Sequence, residues 1–160
     1  MNRRPVLAIL VPAFVILHFF LHLGLGIGQR APDFLTVALL LAVREVGMGP
    51  GAGIGFFFGL LEDSFSVLAF GANTVALTLV GVLGARTRDL FVGESVAFHF
   101  WYLASGIWVK GLLHWVVAGE GLREPFLNVV LVDGSVVALY GGLVGAVFLI
   151  PFGGNRRLNP

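Results

Sequence analysis

The stretch Gly47 to Asp63, GMGPGAGIGFFFGLLED, places glycines at 47, 51, 55 and 59, and Asp63 falls on the next step of the same row. Residues four apart lie nearly over one another on an α-helix, so one face is almost bare backbone with a carboxylate at its far end. Ile54, Phe56, Phe57, Phe58, Leu60 and Leu61 flank that face. Such a helix is poor in water, because each interior glycine costs about 1 kcal/mol relative to alanine. In a bilayer, where lipid tails remove the hydrophobic drive for association, the same glycines let a second helix approach closely. The apolar spacers argue against a flexible glycine-rich loop.

The rest of the chain points to the same solvent. Of its 160 residues 58% are hydrophobic and 12% charged, with a mean hydropathy of +0.95; soluble domains run nearer about 25% charged and about 45–50% apolar. Apolar runs at Val6 to Leu25, Phe34 to Val43, Gly51 to Leu61, Val75 to Gly84, Val96 to Ala118 and Val129 to Ile150 predict an all-α polytopic membrane protein. The fold expected is a compact bundle of about six transmembrane helices in a single domain, residues 1–160. The first, fifth and last runs reach the ~20 residues needed to cross a bilayer; the middle three are short, and five spans or a re-entrant segment is the alternative. With no cysteine, disulfides, thiolate metal sites and thiol catalysis are excluded. No basic tract is long enough to suggest nucleic acid.

Orientation follows from the arginines. With the amino terminus inside, Arg3, Arg4, Arg44, Arg86, Arg88, Arg156 and Arg157 fall on the cytoplasmic side, while Arg30 and Arg123 face out. Short loops are the regime in which the positive-inside rule works, so both termini are expected in the cytoplasm. The opening Met-Asn-Arg-Arg-Pro resembles a signal peptide, but its apolar run is too long, and it reads as the first span.

Polar residues within the runs are few. His18 and His22 share a face of the first span; that spacing suits a metal, yet no third ligand lies nearby, and packing histidines are the simpler reading. Pro32-Asp33 opens the second span, where Asp33 can satisfy exposed amides, and Asn73-Thr74 is expected to cap the fourth. Lys110 and His114 stand four apart in an aromatic fifth span, and the last carries Asp133 and the small-residue row Gly134, Ala138, Gly142 and Ala146, with Gly141 and Gly145 alongside. At a rise of about 1.5 Å per residue, Lys110 lies roughly 12 Å and Asp133 roughly 9 Å below the outer ends of their spans. His18, His22, Glu62, Asp63, Lys110, His114 and Asp133 all fall in the outer half, which predicts a polar crevice open outward. Lys110 is expected to pair with Asp63, Glu62 or Asp133, or else to snorkel to the headgroups. The glycine rows, Gly47, Gly51, Gly55 and Gly59 and the one from Gly134 to Ala146, are expected to pack on helices of this chain or of a partner.

Pro32-Asp33 before a leucine-rich span, the Arg44-Glu45 turn, Gly51, Gly55, Phe58-Gly59-Leu60-Leu61, Asp63 and Phe70-Gly71 together resemble MreD, the small multipass rod shape-determining family of bacteria. The motif covers about residues 30 to 90. Glu62 stands where the family has an apolar residue, and the histidines and lysine of spans one and five match no family signature. The resemblance implies a non-enzymatic subunit of the elongation complex in the bacterial cytoplasmic membrane. Such a subunit binds MreC, and so connects to RodA, its class B penicillin-binding transpeptidase and the MreB filament, in support of lateral peptidoglycan synthesis.

The residues themselves agree with a role in binding. No nucleophile with a base, metal set or cofactor loop is legible, so neither a cofactor nor a catalytic residue is assigned. The adjacent Glu62 and Asp63 point about 100° apart on a helix, a poor geometry for paired acid and base. The alternative is a substrate-binding membrane subunit of a vitamin-type importer, with His18, His22, Asp63, Lys110 and His114 lining an outward cavity. A proton-coupled carrier using Asp63 or Asp133 is weaker, since no internal repeat is visible.

Overall fold

A computed structural model describes residues 3–24, 32–66, 69–87, 95–119 and 125–153. Among them are six α-helices and no strand: α1 (Arg3–Phe19), α2 (Phe34–Val43), α3 (Met48–Asp63), α4 (Ala72–Thr87), α5 (Val96–Ala118) and α6 (Gly134–Gly153). The apolar runs and the helices coincide closely, with two differences. The first helix ends in a π-wound turn, Phe20–Gly24, and the last is preceded by another, Leu127–Asp133. Arg30, Arg88, Arg123, Arg156 and Arg157, and most of the linkers 88–95 and 119–125, lie outside the described residues.

The ten-residue α2 is the axis of the bundle. Its sequence, FLTVALLLAV, is apolar on every side, and a helix of that kind must be enclosed. Phe34 to Leu41 and Val43 are buried, and α2 touches each of the other five helices. Phe14 of α1 stacks on Phe34 at 5.5 Å between ring centres and meets Phe148 of α6 edge-on at the same distance, locking three helices together. At the opposite end Tyr102 donates to the Leu40 carbonyl at 3.2 Å, so α5 satisfies one of the carbonyls that end α2.

Around this axis sit two antiparallel hairpins. In α3 and α4, a Cβ placed on Gly59 would strike the Thr74 backbone, one on Gly55 the Leu77 carbonyl, and one on Gly51 the Gly81 carbonyl at 2.8 Å. As α3 numbers fall, α4 numbers rise, which gives the antiparallel register. In α5 and α6, Gly141 faces Ile107, Gly142 faces Ala104 and Gly145 faces Leu103 and Val37. Two glycines of the expected rows stand apart. Gly47 is the residue before α3, exposed and with nothing within 4 Å, and Gly134 meets only the Val129 carbonyl of its own helical segment.

The outer surface of the bundle is apolar. Ile9 and Ile16 on α1, Phe57 and Leu61 on α3, Leu79 and Leu83 on α4, Trp101 on α5, and Val136, Leu143 and Val147 on α6 are all exposed, from 42% for Leu79 to 71% for Ile9. The α5 helix and the segment Leu127–Leu149 are long and apolar enough to cross a membrane.

Candidate polar site at one end of the bundle

The site is built from the beginning of α2. Asp33 precedes that helix and accepts from the Thr36 backbone N–H at 3.0 Å and the Thr36 hydroxyl at 2.7 Å. From α1, His18 Nδ1 accepts the Leu35 N–H at 3.3 Å. Two side chains thus satisfy two of the amides that a helix start leaves open. A ring nitrogen that accepts a hydrogen bond carries no proton, so the 3.8 Å approach of His18 Nδ1 to Asp33 is not an ion pair through that atom. The His22 ring stacks on His18 at 4.1 Å, and its Nδ1 lies 3.1 Å from the His18 carbonyl. A carbonyl only accepts, so Nδ1 of His22 is the protonated nitrogen.

Lys110 reaches this point from α5. Its Nζ donates to Glu62 Oε1 of α3 at 2.9 Å and stands 3.5 Å from Asp33 Oδ2. The three side chains are 10–20% exposed, so the ammonium is enclosed between two carboxylates. Glu62 Oε2 is buried with no hydrogen-bond partner among the described residues. The group joins α2, α3 and α5 and holds one more acid than base.

Asp63 does something else. Fully buried, it accepts from the N–H groups of Gly71, Asn73 and Thr74 at 2.9, 3.1 and 2.8 Å and from the Thr74 hydroxyl at 2.6 Å. The carboxylate that ends α3 is therefore the cap that starts α4. The expected capping by Asn73-Thr74 is corrected: those residues give their amides to Asp63. Asp63 is likewise no member of the Lys110 group, since its oxygens are taken up by the α4 backbone and Thr74. Asp133 stands exposed on the second π turn, and His114 is half-buried one helical turn from Lys110.

The structure thus brings Lys110, Glu62, His18 and His22 to one end of the bundle and adds Asp33, which the sequence reading took only for a cap. A signal was available. Nine of the ten residues that follow Asp33 are apolar and the other, Thr36, bonds back to it, so its carboxylate lies at the end of a buried helix and needs a cation as well as amides.

Depth sets this end apart. Lys110 lies eight residues before the end of α5, or about 12 Å by helical rise, while α2, α3 and α4 all begin or end at the level of the polar group. On that side α5 and the π turn of the last helix stand beyond it. Ser64 and Ser105 donate to the Leu60 and Tyr102 carbonyls of their own helices. No protein-family profile, curated protein or solved structure matches the chain.

Proposed function

We propose that this chain is a multi-pass protein of the bacterial cytoplasmic membrane, both termini in the cytoplasm, acting as a non-enzymatic scaffold of the cell-elongation complex. The observation that carries the membrane reading is the distribution of side chains: aliphatic and aromatic groups cover the outside of the bundle while Asp33, Glu62, Lys110 and His18 are enclosed. In water an apolar surface on this scale would aggregate. In lipid it is the solvated face, and enclosed ionisable groups pair with one another.

The elongation reading rests on the resemblance to MreD. In its favour, Gly51, Gly55, Gly59, Asp63 and Gly71 all serve one joint, the close approach and capping of α3 and α4. A motif that builds one structural unit is of the kind a family shares. The partner is MreC, and through it or directly RodA, the transpeptidase and MreB. Because Gly51, Gly55, Gly59, Gly141, Gly142 and Gly145 are occupied within the chain, partner helices dock on the remaining apolar faces or near the polar end. The test is co-purification of the tagged chain with MreC from membranes solubilised in mild detergent. Recovery of MreC in comparable amount is expected; folded chain recovered without it, at expression levels where both are abundant, overturns the reading.

A further inference from the structure

Two oxygens at the polar end of the bundle are buried and accept no hydrogen bond among the described residues: Glu62 Oε2 and Asn73 Oδ1. Asn73 is only 5% exposed, so water does not serve it from outside. Its backbone N–H and its side chain both bond Asp63, which commits the amide nitrogen and turns the amide oxygen away from that carboxylate. Glu62 Oε1 takes the Lys110 ammonium, and Oε2 is left bare. Buried polar atoms without a partner are rare in folded chains, and each calls for one.

The two atoms belong to one place. Glu62 continues the row Ile54 and Phe58 by which α3 packs on the core, and Asn73 heads the row Leu77 and Val80 by which α4 does so. Because the helices are antiparallel and the backbone of Asn73 and Thr74 lies against Gly59, both rows reach the same end, where Lys110 enters from α5.

The chemistry of the missing partner follows from what surrounds it. Neither a carboxylate oxygen nor an amide oxygen can supply a hydrogen, so the partner brings donors or positive charge. Asp33 and Glu62 around the single ammonium of Lys110 leave one negative charge enclosed. A water molecule would bond both oxygens and leave that charge uncompensated. A divalent ion would overshoot it, and no three His, Asp or Glu side chains among the described residues assemble a metal set. Both oxygens are sealed from solvent, which excludes an organic cation. Hard cations take oxygen ligands, and a monovalent one closes the charge balance.

We propose that Glu62 Oε2 and Asn73 Oδ1 bind a monovalent metal ion of the sodium type between the end of α3 and the start of α4. There it neutralises the carboxylate pair around Lys110 and ties α4 to the seam of α2, α3 and α5. The site stands apart from the partner reading above.

The test uses the full chain purified in mild detergent, with sodium chloride as the probe and N-methylglucamine chloride at equal ionic strength as the control. Equilibrium dialysis against radioactive sodium is expected to show a single saturable site, and the melting temperature should rise with sodium and not with N-methylglucamine. Glu62→Gln should lower sodium affinity at least about tenfold. Asn73→Ala keeps the backbone bond to Asp63 and should lower it severalfold, even where Glu62→Gln does not fold. Absence of bound sodium overturns the proposal, as does binding undiminished in Asn73→Ala. So does an infrared carboxylic-acid band at neutral pH that vanishes in Glu62→Gln, because a proton then takes the ion's place. None of these outcomes bears on co-purification with MreC, which tests the reading above.

Discussion

The two hairpins solve the same packing problem with different materials. Between α3 and α4 glycine meets backbone on both sides: Gly51 faces Gly81, and Gly55 and Gly59 lie against the Leu77 carbonyl and the Thr74 Cα. Between α5 and α6 two of the three facing glycines receive side-chain tips, Ile107 Cδ1 over Gly141 and Leu103 Cδ1 over Gly145, and only Gly142 lies against backbone, that of Ala104. Backbone cannot step aside, whereas the end of an isoleucine can. The first joint is therefore rigid and intolerant, and Asp63 pins it further. The second has room to adjust, and it also carries the π turn, the exposed Asp133 and the overhang beyond the polar group. The tighter joint is the first, while exposed apolar surface is present on both hairpins.

That contrast can be broken at several points. The largest effect is expected from Gly55→Leu, which forces a side chain into the α4 backbone. A loss above about 4 kcal/mol, or failure to fold, is predicted in detergent melting of the isolated chain. Lys110→Leu should follow at about 3 kcal/mol, since it leaves Glu62 and Asp33 enclosed and unpaired across the seam between the hairpins. The double variant Lys110→Leu with Glu62→Leu should recover part of that loss by unfolding midpoint. Asp63→Asn keeps the shape but weakens the charge-assisted bonds to the start of α4, a predicted loss of about 2 kcal/mol with faster amide exchange at Asn73 and Thr74. Gly141→Ala, pressing on the movable tip of Ile107 and only at ordinary contact distance from the Asp33 backbone nitrogen, should cost under about 1 kcal/mol. The last expected effect is a gain: Gly53 has nothing within 4 Å, so Gly53→Ala should raise stability by up to about 1 kcal/mol through helix propensity.

Helices were legible in the sequence because unbroken apolar runs and their boundaries carry them. Val96 to Ala118 and Phe34 to Val43 are helices from end to end. The four-residue row 51–55–59–63 announced a close contact, and the structure supplies its partner, α4. What spacing along one element cannot convey is which element a polar group serves. Asp63 is in register with its glycines, and that register delivers it to the amides of the next helix rather than to Lys110. Asp33 is a cap by local rule and a counter-ion by tertiary placement, and only the second role depends on α5. Gly47 keeps the period but stands before the helix, where no neighbour reaches it. The π turns escaped notice because no residue type marks them.

The most direct test of the account is the environment of the bundle's outer surface, and the absence of cysteine makes it simple. Single variants Ile9→Cys, Phe57→Cys and Leu143→Cys, each at a site more than half exposed, would carry a spin label in chain reconstituted into vesicles. Paramagnetic relaxation by oxygen, which concentrates in acyl chains, is then compared with relaxation by a water-soluble nickel chelate. Oxygen should dominate at all three positions. Dominance of the chelate at these sites would contradict a bundle whose apolar outside is dissolved in lipid.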